Sequence, residues 1–362
     1  MKRSVIVFAL ILLAAGISAR IGYAGEQAPG DRRAAPDAER QAAIARQLEL
    51  EKTIPQLQVT EEVLRLVVPG HTIGETVGVA KNSKGHLFVF SRSGTAGVAR
   101  GGTAAELFEF DPSLKFVKQW GPGNYAASYA HAVHVDKYDN VWAVDEGANM
   151  FIKFDPDANV AMVLGRKPES IDYLQEFLEF GEKTEDKAPV GRPGSFGRPT
   201  DITWDSKDNI YVSDGYLNSR VAKMAKDGSW VKAVGTKGNG PSQFNLPHTI
   251  TSDARDRIWV GDRGNRRIQL FDTDLNLIKT ITSVGAPWGM CTTPGPTQYV
   301  YSGDSNGKIY KLDMDGKVVG WAQTGLGLGQ ASCLVHQLVC ESEKVLIKGD
   351  CSTWKVERIT FK

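Results

Sequence analysis

Several things are scarce in this chain, and each scarcity argues against a class of protein. After the first two dozen residues there is no long apolar run, so the body of the chain offers no membrane-spanning helix. Neither sign of charge is in excess: 43 Lys and Arg stand against 42 Asp and Glu, for a net +1. That leaves no basic field for nucleic acid and no acidic solvating tail. Cysteine is absent from the first 290 residues, and four, Cys291, Cys333, Cys340 and Cys351, crowd the last quarter. None has C-x-x-C spacing, which argues against a zinc ribbon or a thioredoxin-like site. An even number permits disulfides in an exported chain, in any of three pairings, and buried free thiols fit the sequence equally. Histidine is scarce as well, with six residues. What is plentiful is glycine, 38 residues, which suits a fold of many turns rather than a helical bundle.

The amino end has the form of an export signal. Lys2 and Arg3 precede a short apolar run from Ser4 to Gly16, and Gly22-Tyr23-Ala24 supplies small residues for cleavage after Ala24. The run is short for a span, so residues 1–24 are expected to be a signal peptide and the rest to be secreted or periplasmic, without a membrane. Residues 25–56, rich in Ala, Arg, Glu and Gln, are expected to be a weakly structured linker, with a short helix available from Glu39 to Lys52.

From residue 57 to 362 an internal repeat decides the architecture. Six units recur about 42–54 residues apart, with a longer gap between the second and third, each with an alternating strand, a polar turn, a β-branched and aromatic strand ending near Asp or Gly, and a third strand. Examples are HAVHVDKYDNVWAVDEGANMFIKFD, TDITWDSKDNIYVSDGYLNSRVAKM and HTITSDARDRIWVGDRGNRRIQLFD. This predicts an all-β fold, a six-bladed β-propeller, after the signal peptide and linker. The last unit ends on its third strand, so the segment from Leu57 to Val67 is expected to close the ring as its fourth. Residues 166–198 interrupt the repeat with a helical apolar pattern and are expected to form a surface excursion, a candidate lid.

Three histidines open the first strand of alternate units. His131, His248 and His336 each lie fourteen residues before the Asp that ends the next strand, Asp145, Asp262 and Asp350. Units one, three and five carry Val77, Thr200 and Trp288 there. The first strand of a blade lines the channel, so three imidazoles are expected to converge on the axis. Three neutral His with an open position suit a zinc ion, and each ring then needs a partner on its other nitrogen. His134, three residues after His131, is expected to point away from the channel as a structural residue. His71 and His86 are expected to be surface residues without partners.

The runs RPTDITWDSKDNIYVSDGYLNSR (198–220) and GPSQFNLPHTI with IWVGDRGNRRIQLF (240–271), together with FVFSR and KFDP, resemble the catalytic domain of peptidyl-α-hydroxyglycine α-amidating lyases, NHL-type six-bladed propellers. The likeness covers about residues 66 to 360. It implies zinc on His131, His248 and His336, a catalytic tyrosine at Tyr216 of the DGY motif, and two substrate-flanking arginines at Arg92 and Arg263. It also implies cleavage of the N–Cα bond of a C-terminal α-hydroxyglycine, giving a peptide amide and glyoxylate. Free tyrosine, with a pKa of about 10, is a poor base, and adjacent guanidinium groups are expected to depress that value. An arginine fork also suits the substrate carboxylate.

The sequence departs from the family in places. The family's structural calcium takes an Asp just after the third histidine, and Gln337 stands there. Backbone carbonyls remain as donors, but the lost charge argues against calcium. Leu334 replaces a methionine, and Leu217 and Leu270 replace cysteines. The expected partner is therefore a small peptide or carbinolamide-type substrate, acted on by a monomer that binds no nucleic acid. Two other readings remain. One is a non-enzymatic propeller binding a protein or glycan. The other is a hydrolase or lactonase, which would need carboxylate-rich channel positions that are lacking here.

Overall fold

The computed structural model describes residues 37–93, 105–167, 193–325 and 333–362. The expected signal peptide, residues 25–36 of the linker and most of the 166–198 excursion lie outside them.

A helix, α1 (Asp37–Glu51), and a strand, β1 (Val59–Val63), precede the repeat. Blade 1 holds β2 (Glu75–Lys81), β3 (Leu87–Arg92), β4 (Ala105–Phe110) and β5 (Phe116–Trp120). Blade 2 holds β6 (Ala130–Val135), β7 (Val141–Asp145), β8 (Met150–Phe154) and β9 (Val160–Gly165). Blade 3 holds β10 (Asp201–Trp204), β11 (Ile210–Asp214), β12 (Arg220–Met224) and β13 (Trp230–Val234). Blade 4 holds β14 (Pro247–Ser252), β15 (Ile258–Asp262), β16 (Arg267–Phe271) and β17 (Leu277–Thr282). Blade 5 holds β18 (Gly289–Thr292), β19 (Val300–Gly303), β20 (Lys308–Leu312) and β21 (Val318–Gln323). Blade 6 holds β22 (Gln337–Cys340), β23 (Val345–Asp350) and β24 (Lys355–Phe361). Its fourth strand is β1, antiparallel to β24 with Val59 opposite Phe361, so the two ends of the chain close the ring as the sequence predicts.

The repeating turns explain why each blade forms. In DKYDN, DSKDN and DARDR the leading aspartate accepts two backbone N–H groups of its own turn. Its other oxygen accepts from the aromatic residue of the next strand: Trp142 to Asp136, Tyr211 to Asp205 and Trp259 to Asp253. The fourth residue of each turn, Asp139, Asp208 or Asp256, is left-handed, a conformation that Asp tolerates better than bulkier residues. The core is divided: six apolar clusters lie between successive blades, the last joining blade 6 to blade 1 through Ile347, Val356, Val79 and Phe108. A fully buried side chain such as Phe108 contributes about 1.5–3 kcal/mol.

The cysteines select one of the three pairings. Cys291 of β18 bonds Cys340 of β22, tying blade 5 to blade 6, and Cys333 bonds Cys351 within blade 6. The linker expectation needs correction, because α1 is docked rather than loose. Leu50 and Ile54 pack on the blade 4–5 cluster. Glu51 accepts from Lys308 Nζ and Tyr310 Oη, each at 2.6 Å, and Gln47 is buried against the same tyrosine. No helix among the described residues is long and apolar enough to cross a membrane.

Candidate metal centre and active site

Inner strands β6 and β14 each carry a bulge. Ala130 and Ala132 pair with consecutive residues Asp145 and Val144, leaving His131 as the extra residue. His248 is extra in the same way between Pro247 and Thr249, and Val77 between Thr76 and Gly78. A bulge re-aims a side chain, and here it aims the imidazoles at the axis. His336 arrives immediately before β22, where Gly289 of blade 5 lets the chain pass: a Cβ there would lie 2.7 Å from the His336 carbonyl.

The three buried imidazoles offer ligand nitrogens all within 4.8 Å of one another, with ring centroids 4.6, 4.7 and 5.2 Å apart. Each Nδ1 donates to a backbone carbonyl of the next blade, at the equivalent ring position: His131 to Thr200 (2.5 Å), His248 to Trp288 (2.7 Å) and His336 to Val77 (2.8 Å). A carbonyl can only accept, so Nδ1 carries the proton and Nε2 is a free lone pair facing the axis. Burial holds all three pKa values well below the usual histidine range, that of His336 at about 3. For His131 the two neighbouring imidazoles add to this, and for the other two the nearby guanidinium groups do. Three neutral donors with fixed tautomers fit a zinc ion.

Tyr216 lies on this ring. Its hydroxyl is 3.4 Å from His131 Nε2 and 3.3 Å from His248 Nε2. The turn that carries it is one residue longer than its counterparts: Asp214 pairs with Arg220, whereas Asp145 pairs with Met150 and Asp262 with Arg267. Asp214 anchors the turn by accepting from Gly197 N, Asn218 Nδ2 and Arg220 Nε. Gly215 is required, since a Cβ there would meet the Pro247 carbonyl at 1.9 Å.

Both arginines singled out in the sequence reach the site, with different states. Arg92 is held throughout: Nε donates to the Ala130 carbonyl (2.7 Å), Nη1 to Glu75 (3.0 Å) and to Tyr129 Oη (3.1 Å), and the guanidinium stacks on Tyr129. Arg263 stacks on Trp288 at 4.1 Å and lies 5.6 Å from the Tyr216 ring, while its buried Nη1 has no hydrogen-bond partner among the described residues.

Two residues of the site were not foreseen. Glu146, 1% exposed, has one oxygen bonded by Arg198 Nη2. The other oxygen lies 3.7 Å from Arg92 Nη2 and 3.9 Å from His131 Nε2. Arg198 stands 4.8 Å from the Tyr216 ring, its backbone in the left-handed region at φ 55°, a strained conformation of the kind that clusters at functional sites. A signal for Glu146 was present: it follows Asp145 as Arg263 follows Asp262.

Three expectations are corrected. The pKa of Tyr216 is not depressed; burial pushes it up to about 12, with Glu146 adding to the rise, and the guanidinium groups of Arg263, Arg92 and Arg198 offset only part. His134 does not turn away from the axis. Its Nε2 donates to Asp201 (2.5 Å) and lies 3.0 Å from Gln337, because the bulge at His131 breaks the strict alternation. His71 and His86 have partners, Glu106 at 2.7 Å and Glu109 at 2.6 Å.

Gln337 replaces any charge at the calcium position. Its Oε1 accepts from Val79 N (3.0 Å) and Val133 N (3.2 Å), and its Nε2 donates to the Val133 carbonyl (2.7 Å). A neutral amide whose oxygen is already used, facing two backbone donors, does not fit a calcium ion.

A scan against protein-family models finds no match. Over 249 residues the chain is 29% identical to NHL repeat-containing protein 3 of Homo sapiens, covering 65% of this chain and 61% of that protein. Over 251 residues it is 27% identical to the probable peptidyl-alpha-hydroxyglycine alpha-amidating lyase of Caenorhabditis elegans, covering 65% and 66%. The match to peptidylglycine alpha-amidating monooxygenase of Rattus norvegicus is 26% identical over 223 residues, 21% of that protein's length. Among solved structures, virginiamycin B lyase from Staphylococcus aureus superposes with a TM-score of 0.55 over 84% of this chain and 99% of that one, at 13% identity, a likeness of fold alone. The chain is a six-bladed propeller whose homologues include NHL repeat-containing proteins. Its homologues include the peptidyl-α-hydroxyglycine α-amidating lyases.

Proposed function

We propose that the protein is an exported zinc-dependent lyase that cleaves the N–Cα bond of a C-terminal α-hydroxyglycine, or of a related carbinolamide, to give an amide and glyoxylate. The observation that carries this reading is the convergence, in one buried site, of three tautomer-fixed imidazoles with Tyr216 and with Arg263, whose buried Nη1 has no partner among the described residues. Lyase-named relatives point the same way, and two disulfides suit an oxidising compartment.

His131, His248 and His336 would hold the zinc, which supplies Lewis acidity toward the substrate hydroxyl. Arg263 takes the substrate carboxylate through its free Nη1. Tyr216 relays the proton: the hydroxyl proton leaves as the carbonyl of glyoxylate forms, the Cα–N bond breaks with its electron pair on nitrogen, and the proton ends on that nitrogen. The reaction needs no oxidant. The test is to add an N-acyl-α-hydroxyglycine to zinc-loaded protein and measure glyoxylate and amide against the spontaneous rate. Stoichiometric release of both is expected; bound zinc with no release above background would overturn the reaction.

A further inference from the structure

The charges that close in on the site come in unequal numbers. Arg92, Arg198 and Arg263 contribute three cations. Glu75, paired with Arg92, and Glu146, paired with Arg198, contribute two anions. The strand-ending aspartates are bound apart from these: Asp214 by Arg220, Asp262 by Arg267, and Asp145 by the neutral N–H groups of Ser128, Tyr129 and Ala148. The histidines are neutral, and among the described residues Arg263 is the one of the three guanidinium groups not paired with a carboxylate, its buried Nη1 without a hydrogen-bond partner there.

Glu146 bears directly on how many of the three guanidinium groups are left to a ligand. It occupies the same turn position in blade 2 that Arg263 occupies in blade 4, directly after the strand-ending aspartate. Its carboxylate is fully buried, with one oxygen held by Arg198 and the other facing Arg92 and the His131 nitrogen. This buried anion is paired with Arg198 and stands beside Arg92, two guanidinium groups that would otherwise face a ligand's charge.

We propose that Glu146 is a specificity-determining residue: it sets the pocket to accept a ligand with one carboxylate and to reject one with two. This rests on reading the site as a lyase pocket that takes a carboxylate. The second carboxylate of a dianion meets Glu146 instead of a free guanidinium. A unit charge about 6 Å away through an effective dielectric of about 20 changes a binding constant by roughly a hundredfold. With partial screening by the adjacent guanidinium groups, about tenfold or more is expected.

The test measures dissociation constants of zinc-loaded protein for glyoxylate, a monoanion, and for ketomalonate, the same carbonyl flanked by a second carboxylate. Wild-type protein should prefer glyoxylate. Glu146→Gln should shift the ratio toward ketomalonate by about tenfold or more, and Glu146→Gln combined with Arg198→Gln, which restores the net charge, should bring it back. Arg198→Gln alone should move the ratio in the opposite direction, a readout that survives if the first variant does not fold. An unmoved ratio in Glu146→Gln, or no return in the double variant, overturns the inference and leaves the lyase reading intact. If neither anion binds wild-type protein that retains its zinc, the lyase reading fails and this inference with it.

Discussion

Two polar layers share the axial channel, one step apart along the same inner strands. In one, Gln337, His134, Asp201 and Thr249 have partners: Gln337 bonds the backbones of blades 1 and 2, and Asp201 accepts from His134 Nε2 (2.5 Å), Thr249 Oγ1 (2.9 Å) and Ile250 N (3.0 Å). In the other, three imidazole nitrogens face the axis with a single tyrosine hydroxyl between them, and buried atoms of Arg198 and Arg263 have no partner among the described residues. Buried polar groups are ordinarily paired, so the contrast separates their roles. The first layer joins blades, and on the proposed reading the second is the one that a ligand completes.

The contrast breaks most severely at the histidines. His248→Ala should leave zinc content at background and abolish glyoxylate release while the far-ultraviolet dichroism stays that of the wild type. Loss of the fold instead would mean that the imidazole serves packing. Tyr216→Phe comes next. Zinc should be retained, and kcat should fall by roughly 10²-fold or more with little change in KM. A fall in zinc content would make the tyrosine a support for the ring rather than a proton carrier.

The satisfied layer should respond in the opposite sense. Gln337→Leu strips partners from Val79 N, Val133 N and the Val133 carbonyl. At about 1–3 kcal/mol for each of these buried groups left unpaired, denaturant unfolding should show a loss of roughly 3–9 kcal/mol, with zinc still bound. Unchanged stability would show that water replaces the amide.

Much of this was legible in the sequence because it is periodic. The fourteen-residue interval from His131, His248 and His336 to their aspartates repeats with the blades, so their convergence follows from the ring, and closure by β1 follows from a missing fourth strand. Other features are not periodic. The bulge that turns His134 toward the axis is a local change of pairing without a residue signature. Glu146 was visible only by aligning DEGAN with DRGNR, and Arg198 stands beside the 166–198 excursion, where the repeat is lost. The raised pKa of Tyr216 depends on burial, which neighbouring residues in sequence do not reveal. The docking of α1 depends on Lys308 and Tyr310, more than 250 residues away.

The smallest expected effect lies far from the channel, where α1 offers a paired charge for comparison. Burial opposes ionisation of Glu51, but hydrogen bonds from Lys308, Tyr310 and Gln47 prevail and hold its pKa below the ordinary 4.5. A carboxylate with a lowered folded-state pKa stabilises above its unfolded value, and that contribution fades as pH falls through the folded one. The melting temperature of wild-type protein should therefore exceed that of Glu51→Gln near neutral pH and converge with it below about pH 4. A difference that persists into acid would assign the effect to packing.

The most direct test of the central claim is the metal content of protein purified without chelator, by elemental analysis on folded material. The account predicts about one zinc per chain, as three neutral imidazoles on one ring require. Folded protein that neither carries zinc nor takes it up on titration would contradict it.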